Sequence, residues 1–267
     1  YGIYFSNTSN SRAEGNQISN NRNGVFLEGS SFNVLVGNAA SENENGIYLN
    51  ASDKNSLVSN RAANNSYGIV LSSSCDNEVT SNQASVNFVG IDLYDASDNN
   101  FVQGNNATKN GVGIHLNLSS KNTVIGNNAS NSEHIGVYLV RGSSENNITE
   151  NSARNAWFGV YLIGNSSYNA VAANDASGNR VGIYIRDSPD NNLRENVACC
   201  NDLEGILLRN SARSNLAGNN ASENHFGVYL SSSSKSIMRD NRMWKNRYNF
   251  YAEGENDIDA SNLVDGK

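Results

Sequence analysis

The chain of 267 residues has one proline, Pro189, three cysteines, three histidines and two methionines. Hydrophobic residues make up only 37%, below the usual globular share. No run of about 18 apolar residues occurs, so no membrane-spanning helix is expected. No signal peptide is recognisable. Lysine and arginine total 19 against 26 acidic residues, for a net charge of −7. No basic run or basic face exists, which argues against nucleic acid as a partner. The calcium-binding Gly/Asp nonapeptide is also missing.

Asparagine is abundant: 50 residues, with much serine beside it. Such a composition alone suggests disorder, but its spacing points to an ordered repeat. A glycine followed by inward apolar positions recurs at Gly2, Gly24, Gly46, Gly68, Gly90, Gly113, Gly136, Gly159, Gly182, Gly205 and Gly227. The spacing is 22 or 23 residues, and a degenerate twelfth copy falls at Asn249-Phe250-Tyr251. A period of this length is the mark of a solenoid. Between glycines lie two further motifs, such as Asn33-Val34-Leu35-Val36-Gly37-Asn38 and Asn38-Ala39-Ala40-Ser41-Glu42-Asn43. Each repeat thus holds three short extended runs divided by polar corners.

Runs this short cannot stand alone, but stacked on their copies they form parallel ladders at about 4.8 Å. The predicted fold is all-β: a right-handed, three-sided parallel β-helix of about 12 coils over residues 1–252. Residues 253–267 are predicted to form an irregular tail. The predicted interior is Ile, Val and Leu from two runs and Ala from the third. The corner asparagines, at Asn38, Asn60, Asn82 and their successors and at Asn43, Asn65, Asn87 and theirs, are predicted to bond backbone groups and their own copies one coil away. Cys75 lies six coils from Cys199 and Cys200, too far for a disulfide.

The units N-x-x-x-x-N-x-A-S-x-N-x-x-G-I-Y-L resemble the parallel β-helix repeats of NosD-like and CASH-type (carbohydrate-binding and sugar hydrolase) proteins. The resemblance covers nearly the whole chain. The ending Ile258–Lys267 is similar to a segment following the last coil in surface proteins of methanogenic archaea. The resemblance implies the fold, and a family that includes polysaccharide lyases, hydrolases, epimerases, surface-layer-associated proteins and a copper-linked accessory protein. Copper sites use Cys, His and Met. No pair of these residues shows ligand spacing here, so neither copper nor another cofactor is expected.

The residue two after each glycine points outward. Down the coils this column reads Tyr4, Phe26, Tyr48, Val70, Asp92, His115, Tyr138, Tyr161, Tyr184, Leu207, Tyr229 and Tyr251. Aromatic rows stabilise parallel ladders by stacking, and they also suit sugar rings. Tyr48, Tyr94, Tyr138, Trp157, Tyr161 and Tyr184 are the candidate carbohydrate-binding residues. The break at Asp92 and His115, with Asn117 and His134 on the same side, gives candidate catalytic residues Asp92, His115 and His134. Gly111 and Gly113 between them suggest a shallow depression. The nearest basic outward residues are Arg186 and Arg209, three or more coils away. Asp53, Asp76, Asp98, Asp187 and Asp190 fall near one corner, where ordinary turns explain them better than calcium. Nine N-x-S/T sequons, among them Asn106 and Asn117, would matter only if the protein is exported to a glycosylating compartment.

The chain opens in mid-motif at Tyr1-Gly2-Ile3-Tyr4, as an excised domain would. Its bare first edge favours end-to-end self-association. Met243, Trp244, Arg239, Arg242, Lys245 and Arg247 are expected to close the other end. The leading functional reading is an extracellular or cell-surface module that contacts polysaccharide or envelope glycan. The alternatives are a polysaccharide lyase, hydrolase or epimerase, and a structural spacer or adhesion rod.

Overall fold

A computed structural model describes residues 1–266. It is a parallel β-solenoid. The six-residue strands that contain the glycines form one 12-stranded sheet, and the three-residue strands form a second. The third face is mostly a line of single bridges, Ala39 to Arg61 to Gln83 to Asn106 and onward. Coils are numbered here 1 to 12 by their glycine, from Gly2 to the degenerate Asn249. No helix is long and apolar enough to cross a membrane.

Register is uniform because the pattern is. Ile47 pairs with Ile69 and Leu49 with Leu71, and Leu57 pairs with Val79. The core is therefore a set of columns: Ile or Val, then Leu, on the first sheet, Leu or Val on the second, and Ala40, Ala62, Ala84 and their successors on the third face. Identical neighbours pack without gaps, so few apolar residues suffice. Each buried Leu or Ile contributes about 1.5–3 kcal/mol. The glycine stays bare for lack of room. A Cβ at Gly113 would stand 2.6 Å from the Gly136 carbonyl oxygen and 2.7 Å from the Ala129 Cβ.

The asparagines form continuous ladders. The Asn38 backbone N–H and Nδ2 both donate to Asn60 Oδ1, each at 3.0 Å. Asn60 Nδ2 donates to the Leu35 carbonyl one coil back at 2.9 Å and to Asn82 Oδ1 at 3.0 Å. Each side-chain amide in this column so fills its own valences and those of the corner. Two ladders match the predicted columns. A third runs through Asn33, Asn55, Asn77 and Asn100. A fourth is built of serine, which the sequence reading missed. The Ser30 backbone N–H donates to Ser52 Oγ at 3.0 Å, and Ser52 Oγ donates to the Asn50 carbonyl at 2.8 Å. Each corner turns through a left-handed residue. Even Val86 adopts φ 61° there, a costly conformation for a β-branched residue, held by hydrogen bonds to the coils on either side.

The segment read as irregular after residue 252 carries two short strands. Asp257–Ile258 extends the second sheet and Leu263–Val264 pairs with Arg242–Met243. Met243 is fully buried in the core. All three cysteines are free.

Asn105 lies mid-ladder. It accepts from Asn82 at 2.8 and 3.0 Å, and its Nδ2 donates to the Val79 carbonyl at 2.8 Å and to Asn127 at 2.9 Å. Asn105→Ala should lower unfolding stability by about 2–4 kcal/mol, because it orphans several buried groups. Exposed Asn106→Ala should change it by less than about 1 kcal/mol. Chemical denaturation of both variants checks this.

Candidate functional site

On the outer face of the first sheet the aromatic column stacks along most of its length. Tyr4 lies on Phe26 at 5.4 Å, Tyr138 on Tyr161 at 5.4 Å, and Tyr161 on Tyr184 at 4.8 Å. Between Tyr48 and Tyr138 the strand partners are Val70, Asp92 and His115. The small Val70 and Asp92 leave a groove of about 570 Å³. Tyr48 and Tyr138 stand at its ends, Tyr67, Phe88 and Val89 form one wall, and Tyr94 and Asn117 form the other. Arg22 and Asn45 border it at the coil-3 end.

The depression therefore comes from short side chains in the outward column, not from glycine. Gly113 is buried in the coil interior. Gly111 sits under Phe88, whose carbonyl oxygen would lie 2.7 Å from an added Cβ. Extra residues beside the groove account for the change of repeat length. Coil 5 fits both Asp95 and Ala96 into its left-handed corner.

The groove's chemistry lies on its floor. His115 Nδ1 stands 3.0 Å from Asp92 Oδ1. The imidazole ring stacks on Tyr138 at 5.0 Å, and Asp92 is its strand partner on the other side. The carboxylate thus meets the ring from its face, where an in-plane N–H does not point, and the close pair forms no aligned hydrogen bond. Three buried side-chain atoms are left without a partner: Asp92 Oδ1, His115 Nε2 and Asn117 Oδ1. Among the described residues these are the only such atoms. Leaving one unpaired costs about 1–3 kcal/mol.

Three phenols around the floor, Tyr48, Tyr67 and Tyr138, have pKa values shifted upward. Tyr48 and Tyr94 hydroxyls share a hydrogen bond of 2.9 Å across the intervening coil. Burial and that bond push the Tyr48 pKa up to about 12. Burial, then the charge of Asp92, raises Tyr67. Burial raises Tyr138, opposed by Arg141.

Among the predicted residues, Asp92, His115, Tyr48, Tyr94 and Tyr138 come together here. His134 does not: it packs edge-on against exposed Trp157 at 5.5 Å, outside the groove lining. Tyr161 and Tyr184 lie further along the same face, packed with Phe158, Val181 and Leu207. Arg22, Tyr67 and Phe88 were missed. Their signal lay in the one or two residues before each glycine, which also face outward. The corner aspartates are engaged by neighbouring residues: Asp53 Oδ1 accepts from the Cys75 N–H and Asp98 Oδ1 from the Ser120 N–H one coil on, each at 2.7 Å, while Asp187 and Asp190 pair with Arg186 and Arg213.

The family described as periplasmic copper-binding protein (NosD) matches residues 1–102 and 129–263. The chain belongs to the NosD family. No curated protein matches it. Among solved structures, the periplasmic alginate epimerase AlgG superposes with a TM-score of 0.80 at 17% identity, covering 95% of this chain and 74% of that one. The A-module of the Azotobacter vinelandii mannuronan C-5 epimerase AlgE4 gives 0.70 at 15% identity, covering 95% and 78%. The Dettilon tailspike protein gives 0.66 at 12% identity, covering 97% and 62%. At these identities the likeness shows the fold alone.

The NosD description implies copper, and the residues of this chain do not fit it. Among the described residues no three of His, Cys, Asp and Glu come together as a metal site. Met238 and Met243 are sealed in the core. Burial raises the thiols of Cys75, Cys199 and Cys200, away from the thiolate a metal needs.

Tyr48 has a pH consequence. Its folded pKa exceeds the unfolded value of about 10, so its contribution to stability is full below about pH 10 and fades as pH rises through about 12. Tyr48→Phe should flatten the fall in stability between about pH 10 and 12. Denaturation midpoints of wild type and variant across that range provide the measurement.

Proposed function

We propose that this protein is an exported β-helix module that binds a polysaccharide in the groove over coils 3 to 7. The observation that carries the reading is the set of unpaired polar atoms on the groove floor, Asp92 Oδ1, His115 Nε2 and Asn117 Oδ1. A sugar offers hydroxyls to complete such groups, while Tyr48, Tyr67, Phe88 and Tyr138 offer ring faces to its apolar side. The periplasmic description of the NosD family supports export. The epimerases sharing the fold are named for polymers, alginate and mannuronan.

The test is calorimetric titration with a panel of polysaccharides, using wild type and the Asp92→Ala and His115→Ala variants. Their thermal unfolding is checked first. Wild type should bind at least one polymer, and each folded variant should bind it about tenfold more weakly or worse. If no polymer binds, the rod serves as a spacer or adhesion element, and if the variants bind like wild type, the polymer lies elsewhere than the groove; either result overturns the proposal.

A second reading rests on one geometric fact, the carboxylate and imidazole 3.0 Å apart at the base of that groove. Such a pair can move protons on a bound sugar, with His115 as base and Asp92 stabilising its charged form. The same polymers, incubated with the protein and followed by ultraviolet absorbance for unsaturated ends and by proton NMR for epimerised units, decide between binding and turnover. Unchanged spectra at high protein concentration would remove catalysis and leave binding in place.

A further inference from the structure

Beyond Tyr138 the same face continues over coils 8 to 10. Tyr161 and Tyr184 stack there with ring planes 4° apart. Two residues further along these strands, the outward positions are Ile163, Arg186 and Arg209. Arg186 and Arg209 are direct strand partners, so their side chains leave the sheet about 4.8 Å apart. Like charges placed opposite each other on neighbouring strands are destabilising.

A local acid answers only one of the two arginines. Arg186 Nε reaches Asp187 Oδ2 at 3.2 Å. Asp187 also accepts from Asn210 Nδ2 at 3.0 Å. Arg209 has no carboxylate in ion-pair range among the described residues. This pair stands on a chain whose net charge is −7. It lies beside the aromatic column that leads from the groove, three and four coils past His115, or about 14 and 19 Å along the axis.

We infer that the polysaccharide is anionic, and that it lies along the solenoid axis with its acidic groups held by Arg186 and Arg209. The inference rests on the reading of the groove as a glycan site. Asp92 on the groove floor repels an acidic group directly above it, so the sugar seated there presents hydroxyls. A sugar further along, over Tyr161, brings its carboxylate or sulfate to the guanidinium pair, whose planar forks suit either group. A bound anion also removes the repulsion between the two arginines.

Binding of polygalacturonate, dextran sulfate and neutral dextran is measured by calorimetry at low and high salt, on wild type and on the double variant Arg186→Gln/Arg209→Gln. Both arginines are exposed, and thermal unfolding no lower than that of wild type verifies the variant's fold. At least one acidic polymer should bind more tightly than dextran, by about tenfold or more, and weaken with salt. The double variant should lose about tenfold or more of that affinity and most of its salt dependence. Tighter binding of polygalacturonate identifies the carboxylate as the ligand group, and tighter binding of dextran sulfate identifies the sulfate. Dextran binding as tightly as the acidic polymers, or a double variant indistinguishable from wild type, overturns the inference. In that case loss of dextran binding in Asp92→Ala would leave the groove reading intact. Absence of binding to all three polymers overturns this inference.

Discussion

The fold depends on the hydrogen bond between a side-chain amide and its copy one coil away. A tightly turned coil leaves backbone donors and acceptors pointing inward at every corner, where water cannot reach. Asparagine answers this because it carries one acceptor and two donors on a short stem. Asn60 accepts two bonds from Asn38 and donates both to the coil before it and to the coil after it. The serine column does part of this with a single hydroxyl: Ser52 Oγ accepts from the Ser30 N–H one coil back and donates to the Asn50 carbonyl of its own coil. Because the polar interior is satisfied by repetition, the apolar interior can be thin. A chain with 37% hydrophobic residues thereby keeps columns of fully buried Ile, Leu and Ala.

That rule makes exceptions informative. A repeat satisfies each residue with its own copy, so a residue unlike its copies loses a stacking partner. In the outward column the change from Tyr48 to Val70, Asp92 and His115 breaks the ring stack and opens the groove. The paired Arg186 and Arg209 are a second departure, on charge rather than shape. Both lie on the longest strands, the face with most room for side chains to act on a ligand. The corners, by contrast, are filled by bonds between coils such as those of Asp53 and Asp98.

Much of this was legible in the sequence because column position is set by period alone. The glycine spacing gave the coil count, the alternation gave the inward columns, and the outward row of Tyr4 to Tyr251 was read in its right order. The serine ladder was not legible, since serine in a polar corner reads as solvent-facing while Ser30, Ser52 and Ser74 are fully buried. His134 stands in the column two residues before each glycine, one coil past His115, and packs on Trp157, its neighbour in that column. Arg22 and Phe88 belong to the same column and line the groove. The repeat also says nothing about how neighbouring coils share a volume, which is why the expected depression was assigned to Gly111 and Gly113 and not to the short Val70 and Asp92.

The central claim is that the groove's unpaired polar atoms are completed by a sugar. The most direct measurement is a crystal structure of the protein with an oligosaccharide cut from the best-binding polymer. The expected result is sugar density between Tyr48 and Tyr138, with hydroxyls within hydrogen-bond distance of Asp92, His115 and Asn117. Sugar bound on another face, or a groove in which ordered water completes all three groups while saturating oligosaccharide stays out, would contradict it.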